Sequence, residues 1–187
     1  MRVTLVSIAC AIAACAATPA LAGDINCVWR ALPDGAGEKL MAAVDNRMEP
    51  DFGLISEDEG FQEQAFSCLP RADNDRQQEA MINAMFYALT GALYERSAER
   101  WLLEDDDGKV AKALQAGWSA LSVRERDRLG SLKTLGGQRA RAAIVTAIQA
   151  TGYTASDNPD EDEQTFATAL SDYFIGRAMR EYYEARF

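Results

Sequence analysis

After residue 35, apolar residues recur at three- and four-residue steps along most of the chain, with no sustained apolar–polar alternation. That spacing predicts helices and no sheet. Valine and isoleucine are sparse, alanine and leucine plentiful, which favours the same choice. Beyond the first 22 residues only Pro33, Pro50, Pro70 and Pro159 punctuate the chain, so nothing blocks long helices between the last two. The pattern predicts helices at about 35–48, 57–69, 74–104, 109–120, 123–132 and 138–150, and a last long one from about 160 towards the end. Asp105-Asp106-Asp107-Gly108 reads as the turn that stops the long 74–104 helix. Ser56-x-x-Glu59 and Ser122-x-x-Glu125 both have capping-box spacing. Segment 138–150 is nearly apolar and is expected to be the most buried helix. The fold class is therefore all-α, a single irregular helical bundle of about six or seven helices, two of them long.

The two long segments carry a faint echo. Gln78, Tyr87, Ala92, Glu95 and Arg100 return as Gln164, Tyr173, Ala178, Glu181 and Arg186. Alanine-rich amphipathic helices match this way by chance, so no duplication is inferred.

The N-terminus follows a different pattern. Arg2 is followed by an apolar and small-residue run from Val3 to Ala17, then Thr18-Pro19 and the small-residue ending Ala20-Leu21-Ala22. This is the form of a cleaved export signal. It is too short and alanine-rich for a membrane span of roughly 20 strongly apolar residues. The expected division is a signal peptide at 1–22 and one all-α domain at 23–187, periplasmic or secreted. The alternative is a lipobox at Ile12-Ala13-Ala14-Cys15, giving a lipoprotein anchored through Cys15. Cleavage after Ala22 leaves Cys27 and Cys68, which most simply form one disulfide in an exported chain. Their wide spacing suits a structural staple, whereas a redox pair would normally sit as Cys-x-x-Cys.

Charge and missing residue types narrow the chemistry. Removing Arg2 from the 19 basic residues leaves 18 against 29 acidic ones, a formal −11 that argues against nucleic-acid binding over a broad surface. Histidine is absent, which excludes Ser-His-Asp and Cys-His pairs and the usual zinc sites. No Ser-x-x-Lys occurs, and Gly35-Ala36-Gly37 lacks the strand and third glycine of a phosphate loop. A calcium loop centred on Gly108 would put Leu103 and Leu114 at ligand positions, so an EF-hand is excluded. The acids of 157–163 suit the start of the last helix. No cofactor or metal is expected. The closing Tyr183–Phe187 stretch resembles the last strand of an outer-membrane barrel, but Glu181 falls where an outward apolar residue belongs.

Two charged patterns remain. Ile82, Met85, Phe86, Leu89, Leu93 and Leu103 form an apolar stripe from which Arg96 and Arg100 also project. On the last helix Phe166, Leu170, Tyr173 and Phe174 continue into Arg177, Glu181 and Glu184. Inward charges need partners, so Arg96 or Arg100 is expected to meet Glu181 or Glu184 in a polar cluster. Arg124, Arg126, Arg128, Lys133, Arg139 and Arg141 form a basic patch suited either to the chain's own acidic helix ends or to an acidic partner or lipid headgroup. The leading expectation is a non-catalytic binding or interaction protein of the cell envelope, with a possible protein partner there. The alternatives are a carboxylate-dependent, glycosidase-like hydrolase with two acids across a groove, and a carrier of an apolar ligand.

Overall fold

The computed structural model describes residues 23–104, 108–135, 137–151 and 159–187. The expected signal, Cys15 and the Asp105-Asp106-Asp107 run lie outside these residues. The described chain is helical throughout: α1 (Ile25–Ala31), α2 (Ala36–Asp45), α3 (Gly53–Ser56), α4 (Glu59–Ser67), α5 (Asp75–Leu103), α6 (Lys109–Ala120), α7 (Val123–Leu132), α8 (Gln138–Ala150) and α9 (Pro159–Glu184). Eight helices have seven residues or more, and α3 is a single turn. The count exceeds the sequence expectation because α1 and α3 are too short to show a helical period.

Caps explain where several helices begin. Ser122 accepts the Glu125 N–H while the Glu125 carboxylate accepts the Ser122 N–H, a complete capping box for α7. The expected box at Ser56 does not form. Asp58 caps α4 instead, accepting the Phe61 N–H at 2.7 Å, and Ser56 ends α3. Asp24 caps α1. Helix α8 is not the buried element it was expected to be: only Ala140, Ile144 and Ile148 are buried, and Val145 is half exposed. Its polar Gln138, Arg139, Arg141, Thr146 and Gln149 fall on the outer faces.

Helices α5 and α9 form an antiparallel spine. Trp101 lies beside Phe166 at one end (ring centroids 6.4 Å apart) and Tyr87 beside Tyr183 at the other (4.8 Å). Their backbones cross in near contact at two glycines. A Cβ on Gly91 would stand 2.5 Å from the Arg180 nitrogen, and one on Gly176 2.5 Å from the Glu95 nitrogen. Both obstacles are backbone atoms and cannot swing away. Gly91→Ala and Gly176→Ala are therefore each expected to destabilise by about 2 kcal/mol through overpacking, even after the helix-propensity gain of up to about 1 kcal/mol. Urea unfolding checks this, and a neutral or stabilised variant would contradict the close crossing. Gly130 does the same for α7, where a Cβ would run into the Ala178 carbonyl oxygen on α9. Helix α8 packs on α6, and α1 and α2 pack on α5.

The spine runs through two apolar clusters in succession. One gathers Ile25, Val28, Leu40, Val44, Ile55, Phe61, Met85 and Leu89 from α1 to α5, closed by Phe187. The other gathers Leu102, Leu114, Trp118, Leu129, Ile144 and Phe174 from α5 to α9. Cys27 and Cys68 are bridged, with Cα atoms 5.8 Å apart, and pin α1 to the end of α4 within the first cluster. No helix of the described residues is long and apolar enough to cross a membrane.

Candidate functional site

Between the two apolar clusters the spine turns ionic. Glu95 of α5 is buried, with 8% of its surface exposed, and directly faces α9. Arg180 grips it with both ends of the fork, Nε to Oε2 at 2.5 Å and Nη2 to Oε1 at 3.2 Å. Arg177 lies 4.0 Å from the same carboxylate and donates to Glu181 at 3.1 Å and to the Tyr173 hydroxyl at 2.8 Å. Glu184 accepts from Arg180 at 3.3 Å and from the Ile25 N–H at 3.0 Å, which ties α1 to the spine. Burial opposes the charge on both arginines, yet their partners outweigh it and the pKa of each is raised. Glu99 nearby is pushed up by burial and by Glu95.

This cluster contains Arg177, Glu181 and Glu184 as expected, but not through the expected partners. In an antiparallel pair the end of α5 lies beside the start of α9, which carries Arg100 away from Glu181 and Glu184, and Arg96 lies on the face of α5 that is turned to α1. Arg96 stacks on Trp29 of α1 at 3.8 Å and donates to the Asn26 side chain at 3.3 Å. Arg100 pairs with Asp45 of α2 near the surface, both side chains more than a third exposed. Arg100→Ala should therefore change stability by less than about 1 kcal/mol, with urea unfolding as the check. Glu95, Arg177, Arg180, Glu181 and Glu184 each have a partner, which suits a role in joining helices.

The basic patch divides into four parts. Arg126 turns inward, donating to the Trp118 carbonyl at 2.9 Å and stacking on its ring, with Nε left without an acceptor. Lys133 lies over the Tyr87 ring at 3.5 Å. Arg124, Arg128 and Arg139 line a cavity of about 600 Å³ between α7 and α8, and Arg141 stays outside it.

A larger cleft, of about 720 Å³, opens beside the spine between the α2–α3 connection, α5 and α9. Its wall is aromatic, from Phe86, Tyr87 and Tyr94. Arg47 and Lys133 bring positive charge to it, Glu49 and Asp172 negative charge. Burial lifts the Asp172 carboxyl above the ordinary aspartate range, with Arg47 opposing. Burial raises the Tyr94 hydroxyl, helped by Asp172 and Glu49. Among the described residues two non-glycine residues have left-handed backbone, Arg47 (φ 58°) and Lys133 (φ 53°), and both line this cleft. Glycine fits that conformation without the Cβ clash that costs L-residues roughly 1–2 kcal/mol. Among the described residues no group of three or more His, Cys, Asp or Glu side chains converges to hold a metal ion.

No family model, curated protein or solved structure matches the chain. The geometry alone carries the functional reading. Glu95, Arg180 and the cleft residues Arg47, Tyr94 and Asp172 were not singled out from the sequence. Glu95 had one legible sign, an acid one helical turn beyond Gly91 at the end of the apolar middle of α5. Arg47 and Asp172 had none, because they meet only when α2, α5 and α9 assemble.

Proposed function

We propose that this is an exported, non-catalytic binding protein of the cell envelope whose site is the aromatic cleft beside the spine. The ligand class is a small aromatic or apolar zwitterion, from an amino acid to a short peptide. Arg47 and Lys133 match its carboxylate, Glu49 and Asp172 its ammonium group, and Phe86, Tyr87 and Tyr94 its body. Ligand pockets usually span about 300–1,000 Å³, and about 720 Å³ falls inside that range. The carrying observation is that three aromatic rings and side chains of both charge signs line one cleft of ligand size, while the left-handed backbone of Arg47 and Lys133 closes the C-terminal ends of α2 and α7 and so fixes these two residues at its rim. With charges of both signs on the walls, a wholly apolar cargo is the poorer fit. Export is supported by the form of residues 1–22 and by the Cys27–Cys68 bridge.

The test uses Arg47→Gly, titrated calorimetrically with phenylalanine and phenylalanine-containing dipeptides. Glycine relieves the backbone, so the variant is expected to be more stable by up to about 1 kcal/mol while binding at least tenfold more weakly. Unchanged affinity, or no binding of any probe to the parent protein, overturns the reading.

Asp172 supplies a further check through pH. Its folded carboxyl holds a proton to higher pH than the unfolded one, whose pKa is about 3.9. Its contribution is therefore full below that value and is lost as pH rises through the folded pKa. At neutral pH the buried charge weakens the fold. Asp172→Asn should raise stability at pH 7, remove part of the decline above pH 4 and weaken binding. Urea unfolding across this range reads the sign.

A second reading has its own observation. Asp172, whose carboxyl is raised, and Glu49 line one open cleft, the arrangement that acid–base cleavage of a glycoside needs. Turnover of aryl glycosides that disappears in both Asp172→Asn and Glu49→Gln would put this reading ahead of the first.

A further inference from the structure

The cavity between α7 and α8 arises from the packing order. Helix α7 rests on α9 and α8 on α6, so the two helices are splayed apart. Leu129, Ala140 and Ala143 give the space apolar lining, while Arg124, Arg128 and Arg139 give it a basic rim. These three arginines are exposed, and the first two sit one helical turn apart, where like charges repel. Among the described residues Arg124 and Arg128 have no ion pair, and the acidic neighbour of Arg139 is Glu125. Glu125 is already engaged. It accepts from the Ser122 N–H at 2.9 Å and the Ser122 hydroxyl at 2.6 Å, and these bonds hold its carboxyl below the usual range.

The result is three guanidinium groups against one committed carboxylate on a single cavity, in a chain whose formal charge is −10. The chain's own acids, which outnumber its bases, do not neutralise this rim among the described residues. Helix α8 adds to the imbalance, since Arg139 stands in a first turn that holds no acid and has no side-chain cap.

We infer that this cavity is an anion site for a phosphate monoester. Guanidinium forks match phosphate oxygens two at a time, and three of them suit a dianion better than a single carboxylate. The apolar lining and the room of about 600 Å³ accept an organic body attached to the phosphoryl group. The same monoester chemistry is offered by a free phosphoester and by the headgroup of a phosphatidate lipid. The site is separate from the aromatic cleft and does not depend on it.

The experiment titrates the mature protein with glycerol 3-phosphate by calorimetry and, in parallel, with phosphatidylcholine vesicles with and without phosphatidic acid by co-sedimentation. Variants are Arg124→Gln, Arg128→Gln, Arg139→Gln, the triple replacement, and Arg141→Gln as an equal change of charge outside the cavity. Saturable binding is expected, weakened about tenfold by each cavity replacement, abolished in the triple variant and unchanged in Arg141→Gln. Binding of glycerol 3-phosphate alone assigns the site to a free ester. Vesicle binding that glycerol 3-phosphate displaces assigns it to a headgroup. No saturable binding of either probe, or equal losses in Arg141→Gln and the cavity variants, overturns the proposal. Far-UV circular dichroism of the triple variant confirms that these exposed replacements leave the fold intact.

Discussion

Replacing Glu95 by alanine is expected to lower the unfolding free energy by about 3 kcal/mol, the low end of the cost of breaking a buried ion pair because Arg180 keeps some exposure. The loss comes less from the missing attraction than from what is left behind. Arg177 and Arg180, neighbours on α9 beside the Gly91–Gly176 crossing, would keep Glu181 and Glu184 as their remaining acidic partners. The double replacement Glu95→Leu with Arg180→Met removes both charges and should cost less than Glu95→Ala alone. A urea-unfolding cycle measures the coupling. Additive effects would mean that the two helices are held by packing alone and that the ionic layer contributes no specific bond.

The second large effect is expected at the bridge. Cys27 and Cys68 are 41 positions apart, and closing such a loop stabilises by about 4 kcal/mol in the chain-entropy model, an upper value. Cys27→Ser with Cys68→Ser should approach that loss, as should reduction of the parent protein. Because both cysteines belong to the α1–α4 side, hydrogen exchange should accelerate first in α1 and α4 and last in α6 and α7, which pack in the other cluster. Uniform acceleration would show that the two clusters unfold as one. Mass spectrometry after alkylation without reductant should find neither cysteine modified.

The long helices and the α6–α8 series were legible because their apolar period runs for ten residues or more and strong signals mark their ends, such as the Ser122 capping box and Gly108. The bridge was legible from the export-signal form of residues 1–22 and the number of cysteines beyond it. Helix α1 was not, since seven residues hold barely two turns and its stability comes from Asp24, the bridge and Glu184. The polar cluster was half legible. Periodicity identified Arg177, Glu181 and Glu184 as inward charges, but it carries no information on the relative direction of two helices, and direction chose Glu95 over Arg96 and Arg100 as the main partner. The basic patch was visible as a run of charge, yet its division into an inward Arg126 and a cavity rim depends on which helix each turn packs against.

The bond from the Ile25 N–H to Glu184 spans 159 positions, whereas the bridge from Cys27 spans 41. A chain made N-terminus first therefore meets its oxidising partner long before it meets its last helix. Oxidation can lock α1 to α4 while the surface that α9 will cover is still open, and residues 177–184 then complete the assembly in one late step. Such an order favours a slow, non-local closing event, and an oxidised chain stopped short of α9 would present half of the spine to whatever binds incomplete folds.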